Sequence, residues 1–127
     1  MEDDPLVAEL NQLYLQQVTG FRLAGVVRNG DEALRFMRNR SVQLILLDLF
    51  MPKLDGMDFL KQVRSSGRSI DVIMVTAARN GNDIAKALRH GVVDYVVKPF
   101  TAERLQAALI TYRERIRLLA QNDLLDQ

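Results

Sequence analysis

An α/β fold, with a parallel sheet covered by helices on both faces, is what this sequence predicts, and three observations carry it. The run Leu44 Ile45 Leu46 Leu47 is apolar without period-two alternation, as a strand buried on both faces must be. Two further runs, Asp71 Val72 Ile73 Met74 Val75 and Tyr95 Val96 Val97, read as strands of the same sheet. Strand-like and helix-like segments alternate from end to end. Each of the three strands runs into a polar group, respectively Asp48, Thr76 and Lys98. Ligands bind at the carboxyl ends of the strands in such sheets, so a carboxylate, a hydroxyl and an ammonium are expected on one edge.

The acidic cluster Glu2 Asp3 Asp4 stands before Pro5, and the amphipathic stretch holding Leu6, Leu10, Leu13 and Leu15 predicts a helix over about 5–17. A strand is expected over about 22–27. Asn29 Gly30 Asp31 would end it and cap a helix over about 32–38. The Asp48 strand should begin near Val42. Beyond it come a helix over about 57–65, a strand ending at Thr76, a helix over about 82–90 and a strand ending at Lys98. Gly91 follows His90, where a helix terminus favours a left-handed residue. Thr101 can cap the last helix, whose Leu105, Leu109, Tyr112, Ile116 and Leu119 step by fours and threes in the manner of a coiled-coil seam. Its first half is expected to pack on the sheet.

With 127 residues and 48% hydrophobic content, the chain can bury one core and is read as one domain. Seventeen basic residues against 16 acidic ones give a net charge of +1, which lacks the basic footprint of a nucleic-acid-binding domain. Arg35, Arg38 and Arg40 read as a solvated helix face, and His90 as a charge at a helix C-terminus. There is no cysteine for a disulfide or a thiolate metal site, and no apolar run approaches the ~18 residues of a membrane span. No secretory signal is visible, so a cytoplasmic protein with no membrane partner is expected.

With these residues assembled, the chain resembles, over almost its whole length, the receiver domain of two-component response regulators. The family's marks are Glu2 Asp3 Asp4 Pro5, then Asp48 through Met51 Pro52 and Asp55 Gly56, then Thr76 Ala77, then Lys98 Pro99 Phe100, in the family's order and spacing. Pro5 Leu6 Val7 Ala8 Glu9 Leu10 Asn11 and Tyr112 Arg113 Glu114 look most like the regulators that respond to citrate or C4-dicarboxylates.

The resemblance implies a flavodoxin-like, doubly wound parallel sheet, with a receiver domain over 1–113. Residues 114–127 would extend the last helix as a linker toward an effector domain, or as a self-association contact. Asp48 is implied as the phosphoacceptor, attacking phosphohistidine on a sensor histidine kinase. Mg²⁺ would be held by Glu2 (mainly through water), Asp3, Asp48 and the backbone carbonyl of Phe50, a hard-oxygen set. Lys98 would pair with a phosphoryl oxygen and Thr76 would donate its hydroxyl to another. Thr76 and Tyr95 would form the switch, with Tyr95 turning inward as Thr76 moves. The face of the last two strands and helices would then form a homodimer, and DNA would be reached only through an effector that the chain is too short to contain. The protein would be a phosphoacceptor signalling domain rather than an enzyme with turnover.

Two other functions compete. A receiver-like module that only binds partners would gain no acyl phosphate. A phosphatase of the haloacid dehalogenase type also uses a strand-end aspartate, but it needs a second aspartate two positions on, where this chain has Phe50. One departure from the family stands out, because receivers carry an apolar strand directly before the acidic cluster and this chain opens Met1 Glu2 Asp3. Either upstream residues are omitted, another segment or molecule supplies the strand, or the receiver is defective. Omission is the favoured expectation. Without that strand, residues 22–27 lose a neighbour, and a loosened N-terminus with weak Mg²⁺ affinity is expected.

Overall fold

The computed structural model describes residues 1–51 and 55–125, with side chains through residue 121. Pro52, in the segment expected from the sequence to hold the phosphoacceptor, and the side chains of Leu124 and Leu125 therefore fall outside the described residues. The order of elements is α1 (Pro5–Gln16), α2 (Gly30–Met37), β1 (Leu44–Leu47), α3 (Gly56–Ser65), β2 (Asp71–Thr76), α4 (Gly81–Arg89), β3 (Asp94–Val97) and α5 (Ala102–Leu125). The three strands form one parallel sheet in the order β1-β2-β3, with Leu47 opposite Met74 and Thr76 opposite Val97.

Each helix starts where a short polar side chain accepts a backbone N–H of the first turn. Asp4 accepts from Leu6 (3.0 Å), Asn29 from Glu32 (2.9 Å), Asp55 from Asp58 (2.9 Å), Asn80 from Asp83 (2.8 Å) and Thr101 from Arg104 (3.2 Å). Gly91, at φ +77°, ends the α4 connection in the left-handed region, as its place in the sequence predicts.

Alternation along the strands supplies both faces with core. Ile45, Leu47, Val72 and Met74 point into one cluster with Ala33 and Met37 of α2, Phe59, Leu60 and Val63 of α3, and Ala87 of α4. Leu44, Leu46, Ile73, Val75 and Val96 point into the other, with Tyr14 and Leu15 of α1 and Leu105, Ala108, Leu109 and Tyr112 of α5. Successive strand residues face opposite sides, so a sheet apolar at every position demands two helical layers. The flavodoxin-like expectation holds, with α1 and α5 on one face and α2, α3 and α4 on the other.

The expected strand over 22–27 is not formed, and residues 21–27 run without regular secondary structure. Strand propensity is local, but a strand exists only through a neighbour's hydrogen bonds. Among the described residues, only Met1 and Glu2 lie between this segment and β1. The Met1 amine donates to the Leu46 carbonyl (2.6 Å), the Asp48 N–H donates to the Met1 carbonyl (3.2 Å), and the Glu2 N–H donates to the Val27 carbonyl (3.0 Å). Below these two residues, a cavity of about 270 Å³ separates the segment from β1.

At the end of the sheet away from Asp48, arginines collect carbonyls from several connections. Arg64 donates to the carbonyls of Ile70 (2.5 Å), His90 (2.6 Å) and Gly91 (3.4 Å). Arg68 donates to those of Met37 (2.8 Å) and Arg40 (3.1 Å).

Candidate functional site

The ends of β1, β2 and β3 place Asp48, Thr76 and Lys98 along one edge of the sheet, because all three residues end strands that run in the same direction. The Lys98 N–H donates to the Thr76 carbonyl (2.9 Å), which fixes those two residues side by side. The Lys98 ammonium spans the edge, donating to Asp48 Oδ2 (3.0 Å) and to Glu2 Oε1. The second oxygen of Asp48 accepts the Phe50 N–H (3.1 Å), an Asx turn that starts the following loop.

Burial makes these contacts consequential. Glu2 is 4% exposed, Asp48 5% and Thr76 0%, so each needs a partner within the protein. Burial raises the Glu2 carboxyl above its ordinary range, against the hydrogen bonds from Lys98 and the Asp4 N–H, and the nearby Asp48 charge adds to the rise. For Lys98, burial alone would lower the ammonium, but hydrogen bonds to Glu2 and Asp48 outweigh it and the net shift is upward. Burial lowers the Met1 amine to about 6, with the Glu2 and Asp48 charges opposing the fall.

Asp3 is exposed, and it nevertheless contributes an oxygen that lies with oxygens of Glu2 and Asp48 within 4.8 Å of one another. Among the described residues this is the one group of three such side chains. Three carboxylates are the donor set of a hard divalent cation, so the residues present fit Mg²⁺. The Lys98 ammonium already pairs with two of them, balancing one of their two charges.

Thr76 Oγ1 accepts the Ala78 N–H (3.3 Å), which turns the loop after β2. Tyr95, half-buried on β3, donates its hydroxyl to the Ala78 carbonyl (2.6 Å), and so bridges β3 to that loop. Burial, then the charges of Asp83 and Asp48, raise the Tyr95 phenol. Phe50 projects outward, 59% exposed, beside Asp48.

Two participants were not singled out from the sequence. The Arg79 guanidinium donates to the Lys98 carbonyl (2.8 Å) and so ties the loop after Thr76 to the turn that carries Lys98. The Met1 amine, bonded to the Leu46 carbonyl, feels the charges of the same carboxylates. A surface arginine gives no sequence signal for a contact made across two loops.

A model of the response regulator receiver domain family matches residues 1–110. A probable C4-dicarboxylate response regulator of Halalkalibacterium halodurans is 45% identical over the whole of this chain and 55% of its own length. The transcriptional regulatory protein MalR of Bacillus subtilis is 44% identical over 91% of this chain and 49% of its own. The chain spans about half the length of these curated relatives. Among solved structures, the receiver domain of the Francisella response regulator 1452 has a TM-score of 0.78 at 28% identity, over 90% of this chain and 93% of that one. A receiver domain protein from Methanospirillum hungatei has a TM-score of 0.79 at 21% identity, over 95% and 93%, and at that identity it speaks for the fold alone.

Proposed function

Since the chain belongs to the response regulator receiver domain family, we propose that it accepts a phosphoryl group on Asp48 from a phosphohistidine of a sensor histidine kinase, in a Mg²⁺-dependent transfer. The observation that carries this reading is the convergence of the Lys98 ammonium on Asp48 and Glu2 at the strands' carboxyl ends, with Thr76 on the adjoining strand.

An Asp48 oxygen attacks phosphorus, the P–O bond forms as the P–N bond breaks, and the imidazole leaves as the neutral donor once it holds its proton. The product is an acyl phosphate, which water later hydrolyses to restore the carboxylate. Little covalent work is needed beyond the nucleophile, so the remaining residues align groups and balance charge. Glu2, Asp3, Asp48 and the Phe50 carbonyl would hold Mg²⁺, which supplies charge neutralisation to the transferring oxygens. Lys98 is poised to exchange a carboxylate oxygen for a phosphoryl oxygen, a compact cation doing the same job for a new anion. Thr76 then donates its hydroxyl to another phosphoryl oxygen, and Tyr95 turns toward the space left behind. This local event biases a two-state element and exposes a dimerising face on β2, β3, α4 and α5.

In this reading residues 1–113 are the receiver, and the later turns of α5 lead toward an effector that meets DNA. The relatives named for C4-dicarboxylate response make that class of stimulus the one to try first. The setting is the cytoplasm, and no helix among the described residues is long and apolar enough to cross a membrane.

Mass spectrometry after incubation with acetyl phosphate and Mg²⁺ tests the central claim. One phosphoryl group gained by the parent and none by Asp48→Asn is expected. Equal labelling of both, or of neither, overturns it.

A further inference from the structure

The loop that follows Thr76 is held from one side only. β2 lies between β1, whose end carries Asp48, and β3, whose end carries Lys98. On the β3 side, the Tyr95 hydroxyl donates to the Ala78 carbonyl (2.6 Å) and the Arg79 guanidinium donates to the Lys98 carbonyl (2.8 Å). On the β1 side, among the described residues, no hydrogen bond joins residues 77–79 to residues 48–51. Arg79 is exposed and, among the described residues, pairs with no carboxylate. Its guanidinium holds a neutral carbonyl in water instead, a bond that opens readily.

Thr76 is fully buried, and its Oγ1 accepts the Ala78 N–H (3.3 Å). The Lys98 N–H holds the Thr76 carbonyl (2.9 Å), so the strand end stays in the sheet. Any approach of the Thr76 hydroxyl to an oxygen carried by Asp48 therefore falls on the Thr76 side chain and on residues 77–79, which must shift toward β1. The bond from Arg79 to the Lys98 carbonyl lengthens or breaks in that shift.

We propose that Arg79 is a positioning residue for phosphoryl transfer, a tether that keeps the loop on the β3 side and sets how readily Thr76 reaches the phosphoryl group. This role rests on Asp48 being the phosphoacceptor, as proposed above. Arg79 touches neither Asp48 nor Thr76 through its side chain, and acts through the path of the loop between them. Charge and tether make opposite predictions, which renders the role decidable. Removing a cation from beside an anion site weakens anion binding by electrostatics alone. Releasing a restraint on the competent arrangement raises the fraction of molecules that hold it, and so strengthens binding.

Titration with beryllofluoride and Mg²⁺, a stand-in for the phosphoryl group, tests the tether when the Thr76 and Ala78 amides are followed by NMR in the parent, Arg79→Met and Arg79→Lys. Arg79→Met keeps an aliphatic stem and loses the charge and every donor. It is expected to bind the analogue about two- to fivefold more tightly than the parent, and to gain phosphate from acetyl phosphate faster by a similar factor, with an unchanged Tm. Arg79→Lys, which keeps a cation and a donor, should fall between the two. In the free proteins, the Ala78 amide should exchange faster in Arg79→Met. Analogue binding by Arg79→Met that is equal to or weaker than the parent's overturns the tether. So does faster exchange with no gain in affinity, the result a merely structural contact would give. A parent that fails to bind the analogue at all brings down the phosphoacceptor reading and the tether with it, whereas a parent that binds and a variant that matches it bring down the tether alone.

Discussion

Lys98 is the residue on which the charge balance of the site turns. It stands between two carboxylates that are almost wholly buried, and its own side chain is 19% exposed. Lys98→Met leaves Glu2 and Asp48 facing each other without a cation, and a loss of roughly 1–3 kcal/mol at pH 7 is expected in urea denaturation. The deficit should shrink as pH falls and the raised Glu2 carboxyl takes up a proton. An unchanged midpoint would show that water already screens the pair. Met1 gives a second pH dependence of known sign. Its enclosed amine sits at about 6 in the folded chain against an ordinary 8.0, so between those values the unfolded chain binds more protons. Stability therefore rises from pH 6 to pH 8, by up to roughly 2–3 kcal/mol from this group. Denaturation at the two pH values, compared with a chain acetylated at Met1, should show the slope in the free amine and its absence in the blocked one.

At the scale of elements, α3 is pressed against the loop that carries Asp48. A Cβ on Gly56 would meet the Leu49 Cα at 2.6 Å and overlap the Asp48 carbonyl. Gly56→Ala must push the first turn of α3 away from β1, with roughly 1–3 kcal/mol of destabilisation and slower phosphoryl uptake, read by thermal melts and phosphotransfer rates. Undisturbed melts would mean the loop gives way freely. Most elements were legible because their signals are local: apolar runs for β1 and β2, the Asn29 cap for α2, and Gly91 after α4. Residues 22–27 were not, because their apolar content speaks for a strand, whereas among the described residues no strand lies beside them to pair with. In the site, strand ends foretold the shared edge of Asp48, Thr76 and Lys98. The bonds from Arg79 to the Lys98 carbonyl and from Tyr95 to the Ala78 carbonyl depend on loop paths that no spacing encodes.

Across the whole molecule, α5 divides into a packed half and a projecting half. Leu105, Leu109 and Tyr112 are buried against the sheet, and the Arg113 guanidinium reaches the Thr19 carbonyl (2.7 Å). Beyond it Ile116, Leu118 and Leu119 are exposed. Truncation after Glu114 should therefore cost under about 1 kcal/mol, whereas Tyr112→Ala, which also removes the hydrogen bond to Asp71 (2.7 Å), should cost about 3–5 kcal/mol. Comparable losses from both would show that the distal turns belong to the folded unit. The Arg64 and Arg68 contacts give the molecule a fixed floor opposite its chemical end. Five carbonyls gathered by two guanidinium groups bolt together the start of β2, the end of α2 and the turn before β3. In the proposed switch, a displacement that starts at Thr76 would therefore find these contacts as its fulcrum, and as with a lever its amplitude would be least beside that pivot.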